Sequence, residues 1–213
     1  MKIPVFILLT AALALPVLST YARLNDGTRE RLADDAIAEM NKRNFNAALE
    51  KLLEAERLDP DSAVILNLLG AVYTKKKNYQ AAKSYFEKSL AQQPSFFPPA
   101  FNLGELLFLD RQYSQALDTF SRMLDADTSN ELLQFKTVLC LLLLERTPDA
   151  QKLLARMKFL GNGPAWYYAH AAFQINQGNP RRAKELLASA HVIFPEKISL
   201  YDETFENLGW PTR

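Results

Sequence analysis

"NYQAAKSYFEKSLAQQP", residues 78–94, opens on a turn-forming asparagine, sets small residues on one helical face and aromatics on another, and stops at a proline. It reads as one half of a packed pair. Similar stretches occur elsewhere. "NFNAALEKLLEAERLDP" (44–60), "QYSQALDTFSRMLDADT" (112–128) and "TPDAQKLLARMKFLGN" (147–162) place Ala48, Ala116 and Ala150 in register with Ala82, at intervals of 34 residues. A fifth, "NPRRAKELLASAHVIFP" (179–195), puts Ala183 33 residues after Ala150, one residue having been lost from the preceding turn. Five copies at one period make a repeat array.

The chemistry inside each copy explains the pattern. Four residues after the alanine stands a bulky apolar residue (Leu52, Phe86, Phe120, Leu154, Leu187), and three further on a small or flexible one (Ala55, Ser89, Met123, Met157, Ala190). These offsets share one helical face. Upstream, a second helical stretch carries Ala36, Gly70, Gly104, Val138 or Ala171 at its middle, where a small side chain lets two helices approach closely. An aromatic stands between the helices in three copies (Phe45, Tyr79, Tyr113), and proline ends three (Pro60, Pro94, Pro195).

This constellation resembles the tetratricopeptide repeat, most clearly in "LNLLGAVYTKKKNYQAAKSYFEKSLAQQP" (66–94), and the resemblance runs from residue 29 to about 195. It implies an all-α fold, a right-handed α-solenoid of about five helix-turn-helix repeats at 29–62, 63–96, 97–130, 131–163 and 164–196, with a C-terminal capping helix in 197–213. The end copies diverge, as an array requires where a repeat loses a neighbour. The fourth diverges too, with Val138 in the glycine's place and no aromatic at its turn, and it needs a separate reason.

Composition agrees: 48% hydrophobic and 23% charged residues suit a globular chain, and only 7 glycines suit an all-helical one. The single cysteine, Cys140, excludes an intrachain disulfide framework. At the N-terminus, Lys2, an apolar run from Val5 to Leu15, Pro16 and small residues to Ala22 have the layout of a secretory signal peptide. Residues 1–22 are thus expected to be a cleaved leader or, if uncut, an anchor over 3–22, and the repeats at 23–213 to lie outside the cytoplasm, periplasmic or secreted.

Cleavage removes one cation, leaving 24 basic against 24 acidic side chains, a balance that argues against nucleic acid as partner. The clusters Lys75–Lys77 and Arg181–Arg182 are too short to reverse this. No phosphate loop, zinc motif or nucleophile elbow is present, and His170 and His191 have no second ligand type at metal spacing. No catalytic residue, cofactor or metal is therefore expected, and binding remains.

In the family resembled here, the first helix of each repeat lines a groove. Its pattern picks out Ala33, Ile37 and Met40; Asn67, Ala71 and Thr74; Phe101, Glu105 and Phe108; Phe135, Leu139 and Leu142; and Tyr168, Ala172 and Ile175. The lysine, asparagine and arginine clamp that grips chaperone tails is mostly absent, with only Asn67, Asn102 and Lys136 near it. From the third copy onward the groove is apolar, suited to an amphipathic helix or apolar peptide. Asn67, Phe101, Glu105, Phe108, Phe135, Leu139 and Tyr168 are the expected partner contacts. The protein expected is a non-catalytic scaffold or assembly factor of the cell envelope.

Two other readings stand beside it. One is a self-associating protein, a homodimer or a chain whose groove is filled by its own tail. The other is an accessory subunit of an envelope enzyme complex. The fourth copy's first helix, "ELLQFKTVLCLLLLER", is apolar nearly all round and must be covered. The amphipathic tail "EKISLYDETFENLGWPTR" (196–213), with Ile198, Tyr201, Phe205 and Leu208 at helical spacing, is expected to cap the last repeat rather than fill the groove.

Overall fold

Each copy folds as two helices joined by a three-residue turn. The computed structural model describes residues 27–159 and 161–212, so the expected leader lies outside the described residues. Among the described residues there is no strand, and the chain is an all-α repeat solenoid. Its helices are α1 (27–41), α2 (Phe45–Leu58), α3 (Ala63–Lys75), α4 (Tyr79–Gln92), α5 (Phe97–Leu109), α6 (Tyr113–Ala126), α7 (Glu131–Leu143), α8 (Thr147–Leu154), α9 (Ala165–Asn176), α10 (Pro180–Ile193) and α11 (Ser199–Asn207). None of them is long and apolar enough to cross a membrane.

The turns within the pairs, at 42–44, 76–78, 110–112, 144–146 and 177–179, share one geometry. In the second copy the Lys77 amide donates to the Thr74 carbonyl and the Asn78 amide to the Tyr73 carbonyl, both at 2.9 Å. This doubly bonded helix end requires a left-handed residue at its centre. Arg43, Lys77, Arg111, Glu145 and Gly178 take that position, with φ of 63°, 59°, 59°, 58° and 74°. Only the fifth copy uses glycine, so four turns hold a side chain in a disfavoured conformation.

Volume is matched across each pair. A Cβ added at Gly70 would stand 2.5 Å from the Phe86 ring, and one at Gly104 would stand 2.5 Å from the Phe120 ring. Glycine is therefore the partner a phenylalanine needs. Where Ala36, Val138 or Ala171 replaces it, the facing residue of the same register is leucine (Leu52, Leu154, Leu187). The divergence of the fourth copy is thus a compensated exchange of volume between its two helices.

The chain divides into two compact units, 1–99 and 100–213. In the first, Leu32, Ala36, Leu52, Ile65, Leu69 and Val72 form the core. The Ser89 hydroxyl donates to the Ala63 carbonyl at 2.6 Å, fastening α4 to α3. In the second, the core runs from Leu107 to Phe205 and centres on α7. The Asn130 side chain accepts from the Leu133 amide at 3.2 Å to start that helix, and every residue from Leu133 to Leu142 is buried. The covering for this all-round apolar helix is supplied by α6, α8, α9 and, unexpectedly, α11.

Candidate functional site

Phe135 of α7 and Tyr168 of α9 occupy equivalent positions in their repeats and point to one face of the second unit. On that face lies α11. Tyr201 meets Phe135 at 4.9 Å and Tyr168 at 5.2 Å between ring centroids. Phe205 meets Phe135 at 6.3 Å, Tyr168 edge-on at 5.2 Å and Trp210 at 5.3 Å. Residues four apart on a helix share one side, which is why both aromatics of α11 enter the same seat. Phe135, Tyr168 and Phe205 are fully buried as a result.

Two polar contacts pin the helix. At one, the Lys136 ammonium, 1% exposed, donates to Glu105 Oε2 of α5 at 2.7 Å and to Thr204 Oγ1 of α11 at 2.9 Å. The rings of Phe108 and Phe135 lie 5.4 and 5.8 Å from the same ammonium and add a cation–π contribution. Glu105 Oε1 is buried with no hydrogen-bond partner. At the other, the Tyr168 hydroxyl donates to Asp202 Oδ1 at 2.5 Å, and His191 Nε2 of α10 stands 3.2 Å from both groups.

Burial shifts the titration of four side chains in this unit, Tyr168, Tyr201, Cys140 and His170. Desolvation, and then the hydrogen bond to Asp202, raise the Tyr168 phenol far above its ordinary value. Tyr201 is pushed up to about 12 by burial and the charge of Glu131. Cys140, inside α7, is pushed up to about 12 by burial, so its thiol acts as a small apolar side chain. His170 is held below its ordinary range by burial, with its ring 4.0 Å from that of Trp166.

Of the seven expected contacts, Asn67 belongs to the first unit and the other six to the second. The expectation that they stand open is corrected for Asn67, Phe108, Phe135, Leu139 and Tyr168, all buried, while Phe101 and Glu105 are half-buried. The reasons are physical. Phe135 and Tyr168 lie under Tyr201 and Phe205, Leu139 sits in a helix packed on all sides, and Phe108 lies edge-on to Tyr113 at 5.4 Å. The expected placement of the tail is corrected too: α11 spans α7 and α9 instead of capping the last repeat alone. Arg181 and Arg182 both pair with Glu185 one turn on.

Sequence reasoning missed Lys136 as a buried anchor, weighed His191 only as a metal ligand, and gave no role to Asp202 or Thr204. The clue was present in α11, where Tyr201-Asp202 and Thr204-Phe205 each pair a polar residue with an aromatic. What the arrangement can do is hold a short amphipathic helix in one register, with aromatics in the seat and polar neighbours on its pins.

Comparison with known proteins accords with this architecture. Tetratricopeptide repeat family models match residues 34–95 and 73–139. A protein of Cyanophora paradoxa, ycf37, is 30% identical over 87 residues, covering 40% of this chain and 51% of its own length. The small glutamine-rich tetratricopeptide repeat-containing protein 2 of Mycosarcoma maydis is 25% identical over 105 residues, 49% of this chain and 30% of its own. The chain therefore spans about half or less of these relatives. Among solved structures, a thermophilic TPR protein of Thermus thermophilus superposes with a TM-score of 0.66 at 19% identity, covering 84% of this chain and 98% of its own. YrrB, a TPR protein with an unusual peptide-binding site, gives 0.58 at 22%, covering 87% and 97%.

Proposed function

Because the chain belongs to the tetratricopeptide repeat family, a fold whose members hold other proteins, we propose that it is a non-catalytic scaffold that grips a partner through the face of its first helices. The observation that carries this reading is the occupied face of the second unit: Phe135, Lys136 and Tyr168 already hold an amphipathic helix, α11. The peptide-binding site of YrrB lends support by analogy. The same proposal has the repeats exported, cleaved before Arg23 or anchored, and the layout of the apolar N-terminal run to Ala22 supports it.

A photoreactive residue at position 101, on the same face, tests the scaffold. It should form an adduct with another protein in cells, and one at exposed Asp118 on α6 should not. No adduct from 101, or equal yields from both positions, refutes the proposal. Export is tested by the N-terminal residue of the mature chain and its fraction: Arg23 in a soluble extracytoplasmic fraction means cleavage, Met1 in membranes means an anchor, and cytoplasmic recovery refutes export. Self-association is the weaker alternative, since α11 in cis covers the apolar face a twin would use.

A further inference from the structure

The seat of α11 is half polar. Its aromatics would pack on a wholly apolar surface, and exchanging a buried ion pair for packed apolar side chains is often neutral or stabilising. Instead Lys136 is buried to reach Thr204, and Tyr168 gives its hydroxyl to Asp202. These pins select a helix with a hydrogen-bond acceptor directly after its first aromatic, a carboxylate in α11, and another directly before its second, a hydroxyl in α11. With nine residues, α11 is too short to be stable by itself. It also leaves a contact unmade, at the buried Glu105 Oε1.

We propose that the face built from Glu105, Phe135, Lys136 and Tyr168 is a docking site for an amphipathic helix of another protein, and that α11 is its displaceable intramolecular occupant. This rests on the scaffold reading above. The incoming helix carries two aromatics four residues apart, the two polar residues that satisfy the pins, and a cationic or amide donor for Glu105. That donor separates a foreign helix from a second copy. The α11 of a twin offers only the contacts this chain's α11 already makes, and the latter competes from a short link, residues 194–198, at a high effective concentration. One added hydrogen bond to a carboxylate is worth about tenfold or more in affinity, which a foreign helix can supply.

Amide exchange on the full chain comes first. Residues 199–207 should open while α9 and α10 stay protected. Next, a labelled peptide of residues 197–212, with phenylalanine in place of Trp210, is titrated onto the wild-type chain and onto the Tyr201→Ala/Phe205→Ala variant. The vacated variant should bind at least tenfold more tightly, and in the wild type the chain's own Trp210 emission should shift to the red as α11 leaves. Ala in place of Asp202 in the peptide, which leaves the Tyr168 hydroxyl without its acceptor, should weaken binding about tenfold. Among peptides with lysine at 203, 206 or 207, at least one should gain about tenfold on the wild type and lose that gain on Glu105→Gln.

Exchange of α11 only together with α9 and α10 overturns the proposal, as does an opening α11 with no peptide bound. A doubled mass with α11 exchanged makes the occupant a second copy and overturns it as well. If the double variant does not fold, the exchange pattern and the Trp210 shift in the wild type decide. A persisting adduct at position 101 leaves the scaffold standing through any of these failures, and its loss with a displaceable α11 counts against the scaffold alone.

Discussion

The pair Lys136–Glu105 should respond very differently to losing one partner or the other. Lys136 is 1% exposed, whereas 23% of the Glu105 side chain reaches solvent. Glu105→Ala strands an ammonium whose remaining contacts are Thr204 Oγ1 at 2.9 Å and two aromatic faces. Removing one partner of a buried pair costs about 3–5 kcal/mol, and water entering the truncated edge at 105 brings the value to the low end, about 3 kcal/mol. Lys136→Met instead removes the buried charge, fills its space between Phe108 and Phe135, and leaves a carboxylate that can turn to water. Its effect should lie within about 1 kcal/mol of zero. Both tryptophans, Trp166 and Trp210, belong to the second unit, so urea unfolding followed by their emission reports on that unit alone. With a slope of about 2 kcal/mol per molar urea, Glu105→Ala should lower the midpoint by about 1.5 M and Lys136→Met should leave it nearly unmoved. A loss for Lys136→Met as large as that for Glu105→Ala would refute the reasoning, because the pair would then be a net source of stability.

Three further outcomes are expected. Gly104→Ala drives a Cβ into the Phe120 ring and should cost about 1–3 kcal/mol, most of it recovered in the double variant with Phe120→Leu; a double-mutant cycle by urea unfolding measures the coupling, and additive losses would contradict the volume exchange. Gly178→Ala should cost about 1 kcal/mol by putting a side chain at φ 74°, while Lys77→Gly should be neutral or stabilising, both read from thermal midpoints. Cys140 and Tyr201 are neutral in the fold, with pKa values raised to about 12, so the stability they protect is complete below about pH 9 and is lost as pH climbs towards 12. Unfolding at stepped alkaline pH should show the decline, and Cys140→Ala should flatten its first part.

The helix pairs were legible because their cause is local: small residue, bulky residue and alanine recur at one period, and periodicity survives in a single sequence. The left-handed turn centres were not, since Arg43, Lys77, Arg111 and Glu145 carry no compositional mark of that conformation, and only Gly178 announces it. The apolar run of α7 announced that something must cover it without saying what. The seat of α11 depends on pairs far apart in the chain, Lys136 with Thr204 and Tyr168 with Asp202, which no periodicity records. The groove aromatics were chosen for the correct face and mistaken only in their exposure, because family register gives direction and leaves coverage to tertiary packing.

The most direct test of the account is whether α11 sits on this face in the free protein in solution. Nuclear Overhauser contacts between ring protons of Phe205 and those of Phe135 and Tyr168, in the full chain at low concentration, measure it. The account predicts both sets of contacts, at an intensity independent of concentration. Their absence, with Trp210 emission that of a solvated indole, would contradict it, and the second unit would then present an open apolar face.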